Sequence, residues 1–322
     1  MTPVYKLSAN SVKNGRTVYG SMLAGNATYA PPLPGDIGLF SQGSTTVNII
    51  EYIDIASTGN ATDFGDMTQP KTIGGALGST TRCLNFGGYT TGDVQSAVID
   101  YVGFSAKGNA TNFGNLRAAS LFCHGSANTT RGIIASRYQY DGRIDYVTIA
   151  TTGDSLSFGS LSQARHGVAS SNSSTRAIHA GGETGNVQNT IDYITIASTG
   201  NATDFGDLTI ARYVGAGTGS STRGLIMGGY GGGMEYTQID YVTIATTGNG
   251  TNFGQLDPTD SDSGYGGGAC SNNTRAVAGG YTNFTSMNYV TIASTGNGTT
   301  FGNLTVARGG VSATSSTHGG LQ

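Results

Sequence analysis

A single motif of about 48 residues recurs six times along this chain, and a repeat of that length constrains the fold more than any other feature. The segment IDYITIASTGNATDFGDLTIAR, residues 191–212, returns as IEYIDIASTGNATDFGDMTQPK, IDYVGFSAKGNATNFGNLRAAS, IDYVTIATTGDSLSFGSLSQAR, IDYVTIATTGNGTNFGQLDPTD and MNYVTIASTGNGTTFGNLTVAR. Its tyrosines, Tyr52, Tyr101, Tyr146, Tyr193, Tyr241 and Tyr289, stand 49, 45, 47, 48 and 48 residues apart. Phe64, Phe113, Phe158, Phe205, Phe253 and Phe301 each follow 12 residues later. The period is too long for a leucine-rich or hexapeptide solenoid and fits one four-stranded propeller blade.

Within a copy the pattern has period two. In Ile239-Asp240-Tyr241-Val242-Thr243-Ile244-Ala245, β-branched and aromatic residues fill both faces, as in a strand covered on both sides. Thr-Thr-Gly-Asn then signals a hairpin, and Phe-Gly-x-Leu-x-x-Ala-Arg reads as the next strand. A small-residue strand (213–218), a Ser-Thr-Arg turn and GLIMGG (224–229) complete the unit, with no helix anywhere. The first copy begins at GLFSQG (38–43), equivalent to GLIMGG, so it lacks the innermost strand a. The last copy ends on a surplus strand a at 309–317. Joining the two closes a ring without bare strand edges. The expectation is an all-β, six-bladed β-propeller over 37–322, preceded by an N-terminal segment, 1–36.

Composition fits a polar-surfaced β protein. Glycine supplies 53 of 322 residues, and only 11% are charged, where a usual domain has about 25%. The 37% of hydrophobic residues, with 17 Tyr and 11 Phe, still suffice for a core. A net charge of −3 provides no basic footprint, so nucleic acid is not an expected partner. Cys83, Cys123 and Cys270 are scattered and suggest neither a disulfide framework nor a metal cluster. The opening segment has no apolar h-region and no stretch is long enough to span a bilayer, so neither a cleaved signal nor membrane insertion is expected. Asn60, Asn109 and Asn201 of the Asn-Ala-Thr sequons are read as turn residues.

The Gly-Gly strand, Tyr strand, aromatic residue, Leu and Arg, here Gly228-Gly229, Tyr241, Phe253, Leu256 and the preceding copy's Arg212, resemble kelch repeats across 37–322. The chain departs from kelch in having no Trp, with Phe in its place. The wording TIASTGNATDFGDLT is also similar to kelch-like virion proteins of tailed bacteriophages. That resemblance implies a non-enzymatic structural protein of the particle surface: a head or tail decoration, a fibre or a receptor-binding adhesin. It would be made in the host cytoplasm and would meet other virion proteins and a host glycan or receptor. A soluble kelch-type adaptor for protein partners is the alternative.

Charges track the repeat at a spacing of 20: Glu51 with Lys71, Asp145 with Arg165, Asp192 with Arg212. The pattern degrades at Asp100 with Ser120, Asp240 with Asp260 and Asn288 with Arg308. Read as strand ends of one blade, each pair is a structural surface contact. Arg82, Arg131, Arg176, Arg223 and Arg275 recur beside the a–b turn, which suggests blade packing.

Function is expected where copies differ. The c–d turns are nearly identical and the a–b turns nearly constant in length. The b–c loops vary throughout, and one d–a connection is lengthened around 257–268. Loops on a rigid scaffold are where binding evolves. On that face Tyr138, Tyr140, Tyr230 and Tyr236 are candidate contacts able to stack on sugar rings. Asp257, Asp260 and Asp262 resemble a cation-binding loop only loosely, lacking the alternation and terminal Glu of an EF-hand. His124, His166, His179 and His318 occupy unrelated repeat positions, and no nucleophile elbow, phosphate loop or dinucleotide fingerprint stands out. No enzyme activity and no cofactor are therefore expected. In the N-terminal segment, Val4, Tyr5, Leu7, Val18, Tyr19, Met22 and Leu23 precede the linker Ala30-Pro31-Pro32-Leu33-Pro34-Gly35. Too short for a core of its own, this arm reads as an anchor onto a larger assembly.

Overall fold

The computed structural model describes residues 36–43, 47–135, 138, 141–257, 264, 266–281 and 284–322. The anchor residues between Val4 and Leu23, together with Tyr140, Asp260 and Asp262, lie outside that set.

Six four-stranded antiparallel sheets form a six-bladed β-propeller. Strands a to d of the second blade are Gly75–Gly78, Arg82–Phe86, Val98–Gly103 and Thr111–Asn115. The third has His124–Ala127, Arg131–Ala135, Arg143–Thr148 and Leu156–Ser160, and the fourth Ala169–Asn172, Arg176–Ala180, Thr190–Thr195 and Thr203–Asp207. The fifth has Ala216–Gly219, Arg223–Gly231, Met234–Thr243 and Thr251–Gln255, and the sixth Gly268–Ser271, Arg275–Gly279, Ser286–Thr291 and Thr299–Asn303. The first blade joins Ile37–Ser41, Ile49–Asp54 and Thr62–Asp66 to the C-terminal strand Ser312–Ser315, with Gly38 opposite Ser315 and Ser41 opposite Ser312. The terminal strand thus closes the ring as the repeat arithmetic requires.

Six apolar clusters hold the blades together, one per interface. Between blades two and three, Leu77, Leu84, Phe86 and Phe113 pack with Cys123, Ile134, Val147 and Ile149. In every blade the anchor Tyr and Phe meet edge to face, as in Tyr241 and Phe253, whose ring centroids are 6.0 Å apart. The recurring arginines sit over these tyrosines and reach onward. Arg176 lies 4.3 Å from the Tyr193 ring centre, and its Nη1 donates to the Ile244 carbonyl of the next blade at 2.9 Å. That is the blade packing expected of them.

Strand d differs from its expected extent. It opens before the Phe and stops before the Leu, because a bulge at Phe-Gly bends the edge inward. The register shift recurs in all six c–d pairs, for example between Ile239 and Asp240. Leu256 then turns under its own blade, its N–H donating to the Thr237 carbonyl at 2.8 Å. The glycine of the bulge is required by the neighbour. A Cβ on Gly254, whose φ is +150°, would lie 2.3 Å from the carbonyl oxygen of Gly296 in the next blade.

Small residues line the axis, and the six inner strands pack almost onto one another. Two narrow spaces remain along it, of about 30 and 40 Å³, each room for a few waters at most. The chain then makes its one helical element among the described residues, the 3-10 turn Gly319–Leu321, where the sequence suggested none. His318 Nε2 lies 2.8 Å from the Gly78 carbonyl, and the Gln322 Oε1 accepts from the Ser221 N–H at 3.0 Å. Residues 316–322 therefore lie across the channel end beside the a–b turns.

Candidate functional site

The c–d turns, alike in all copies, are occupied by the scaffold. The Gly296 N–H donates to the Phe253 carbonyl at 2.8 Å, and the Asn297 Oδ1 accepts from the Gln255 N–H at 3.1 Å. Asn60, Asn109 and Asn201 hold the same place, accepting from the N–H groups of Asn303, Asp66 and Ser160 at 3.0, 3.0 and 3.1 Å. Each turn is a clasp on the preceding blade, which explains its constancy.

The charged pairs are also clasps, and here the structure corrects the sequence reading. The partners belong to neighbouring blades rather than to one copy. Lys71 meets Asp100 at 2.7 Å, Arg165 meets Asp192 at 2.9 Å, Arg212 meets Asp240 at 3.2 Å and Arg308 meets Glu51 at 2.6 Å. All eight side chains are essentially buried, so these are not weak surface contacts. Each cation lies in a d–a connection, beyond the end of strand d, and faces the start of strand c in the next blade. Asp145 takes Arg117 instead of Arg165, at 2.9 Å. Burial lowers the pKa of Lys71 and of the three buried arginines, and the facing carboxylates pull it back up.

At that same end, opposite the c–d turns, the d–a connections meet in a backbone ring around the channel mouth. The N–H of Gly310 donates to the Gly266 carbonyl at 2.8 Å, that of Ile73 to Gly310 at 3.0 Å, that of Phe122 to Ile73 at 2.8 Å and that of Val214 to Gly167 at 2.7 Å. The six residues at this position all have left-handed backbone, with φ from 54° to 73°. Glycine takes it without strain at 167, 266 and 310. Ile73, Phe122 and Val214 adopt it at a cost of about 1–2 kcal/mol each. Gly310 donates the same bond without that cost, so a bulky side chain is not needed for it.

Phe122 belongs to an aromatic arc across blades three to five. Its ring centroid lies 6.0 Å from Tyr138 and 5.4 Å from His166. His166 is 5.5 Å from Tyr138 and 6.3 Å from Tyr213, and Tyr213 is 5.9 Å from Tyr230. His166 is buried below, while Phe122, Tyr213 and Tyr230 are half-buried and Tyr138 is 36% exposed. Glu183 flanks the arc, with its Oε2 3.5 Å from His166 Nε2 and a reciprocal backbone pair joining the two residues. Burial lowers the His166 pKa and Glu183 partly restores it.

Of the tyrosines singled out from sequence, Tyr138 and Tyr230 join this arc. Tyr236 lies half-buried on the strand paired with that of Tyr230, opposite Gly229. Phe122, His166, Tyr213 and Glu183 were missed, although stacking the copies puts His166, Tyr213 and Tyr265 at one position, where the other copies have Thr72, Leu121 and Gly309. Asp257 is buried, its N–H donating to Asn288 Oδ1 and its Oδ2 accepting from Thr300 Oγ1, each at 3.1 Å. It serves the blade interface, and no cluster of three His, Cys, Asp or Glu side chains able to hold a metal occurs among the described residues. Cys83, Cys123 and Cys270 are buried on separate strands or their flanks and form no disulfide with one another.

No protein-family model matches this chain, and no curated protein is similar to it.

Proposed function

We propose that this protein is a non-enzymatic structural component of a bacteriophage particle, a head or tail decoration, fibre or receptor-binding adhesin. Its N-terminal segment attaches it and the face of b–c loops and d–a connections contacts partners. The likeness of the repeat to kelch-like virion proteins motivates the assignment to a particle. The observation that supports a contact role is the division between the two ends of the ring. Turns at one end are used up in identical blade-to-blade clasps. The other end holds the individual residues, and four of the five exposed large hydrophobics among the described residues, Val94, Tyr138, Met234 and Phe284, sit there where strands b and c connect.

The experiment is to fractionate a producing culture on a density gradient and probe the particle band with antibody to the purified ring. Recovery in the particle band, lost when residues 1–30 are deleted, is the expected result. A soluble cellular complex instead of particles would establish the kelch-type adaptor reading, and normal assembly without the arm would overturn the anchor.

A further inference from the structure

We propose that the aromatic arc of Phe122, Tyr138, Tyr213 and Tyr230, with Glu183 at its side, is a binding subsite for a neutral oligosaccharide. The inference deepens the contact role proposed above and rests on it.

Three observations carry it. The first is clustering. The six copies build the same connection around the channel mouth, and among the described residues its aromatic side chains, Phe122, His166 and Tyr213, fall in the connections into blades three to five. Phe122 holds the strained left-handed backbone there, as Ile73 and Val214 do, and its ring packs into the arc.

The second is shape. Phe122 and Tyr138 stand 6.0 Å apart and Tyr213 and Tyr230 5.9 Å, each close to the length of one pyranose unit. The two pairs are linked through the buried His166, and the four named rings are half-buried or exposed. Half-exposed aromatic faces stack on the apolar C–H face of a sugar and lose little conformational entropy in doing so.

The third is charge. Glu183 keeps 26% of its side-chain surface open beside the rings, oriented by the backbone pair with His166, and can accept bonds from vicinal hydroxyls. Glu235 is exposed at the tip of the blade-five hairpin. Nearby cations among the described residues are already committed: Arg143 to Asp141 at 3.6 Å, and Arg165 and Arg212 to buried aspartates. A uronate or sialic acid would meet carboxylates here, whereas a hexose or N-acetylhexosamine chain would not.

The test uses the full-length protein with maltohexaose, cellohexaose and chitohexaose, and with oligogalacturonate as the anionic comparison, read by saturation-transfer NMR and calorimetry. At least one neutral hexasaccharide should bind and oligogalacturonate should not. Tyr213→Ala and Tyr230→Ala should each weaken binding about tenfold or more, the scale of one lost stacking contact. Glu183→Gln should weaken it without touching a ring. Tyr89→Ala, on blade two of the same face, should change nothing. Unfolding midpoints of all variants distinguish lost binding from lost fold. Absence of binding to every neutral probe, preference for oligogalacturonate, or equal binding by folded Tyr230→Ala and Glu183→Gln variants would overturn the inference. Particle localisation is a separate readout. A ring that binds sugar but is absent from particles sinks the virion reading alone.

Discussion

Arg308 and Glu51, near opposite ends of the chain, face each other with Nη2 and Oε2 2.6 Å apart and both side chains fully buried. The contact is an ion pair by distance rather than a well-directed hydrogen bond, since the three guanidinium nitrogens have no aligned acceptor among the described residues. Glu51 is completed from its other oxygen, which accepts from the Thr305 N–H at 2.6 Å. Breaking such a pair leaves a bare buried charge, whereas removing both charges does not. Arg308→Ala should therefore cost about 3–5 kcal/mol, and Arg308→Met combined with Glu51→Leu much less. Urea unfolding of both variants measures the difference. Equal losses would mean that the charges are not the issue.

Ring closure makes a second prediction. Deleting residues 309–322 removes strand Ser312–Ser315 and bares the edge of Ile37–Ser41, so the melting transition should broaden and fall sharply. Deleting only 316–322 leaves that pairing intact and should lower the melting temperature by much less. A full-length transition in the longer deletion contradicts closure by this strand.

The bulge glycines separate close approach from simple flexibility. Gly254→Ala places a methyl 2.3 Å from the next blade's carbonyl, while a Cβ on its partner Gly296 meets nothing within 4 Å. The first substitution should destabilise by several kcal/mol, and the second should stay within about 0.5 kcal/mol of the parent. Calorimetry on the pair decides it. Similar effects at both sites would rule out the blade contact as the reason for the Phe-Gly motif.

Buried histidines set a pH dependence. Burial, the largest cause for each, lowers His124 and His318 to about 4 and His179 to about 3 from an ordinary 6.5. On acidification the unfolded chain takes up a proton near pH 6.5, and the folded chain does so only near 3–4. Their contribution is thus complete above about pH 6.5 and is lost progressively towards pH 4. Urea midpoints at about pH 7.5 and 5 should show the fall. His318→Gln should be less stable at the higher pH and should flatten part of the slope. An unchanged slope would mean that His318 is not held neutral by the channel seal.

The repeat made much of this legible in advance. The anchor Tyr and Phe fixed blade number and spacing, because a period of this length has few ways to bury both faces of its strands. The missing first strand and the surplus last one foretold the closure. Likewise the recurring Arg of the a–b turn suggested blade packing and turned out to stack on Tyr and bond the next blade. Recurrence alone could not reveal which copy a side chain answers. Asp192 is 20 residues from Arg212 in sequence, but the bulge carries the d–a connection towards the following blade, and Arg212 meets Asp240 while Asp192 takes Arg165.

The sequence by itself determined the number of blades, their strand order and the way the ring is shut, since these follow from hydrophobic period and chain arithmetic. Tertiary structure decided what lies at the channel mouth. Phe122, Tyr138, His166, Tyr213 and Tyr230 come from separate connections and a strand end of blades three to five, and they become neighbours only when those blades stack. The left-handed turn that brings Phe122 there is set by the hydrogen bond its N–H makes to the preceding blade, a partner that local sequence does not specify.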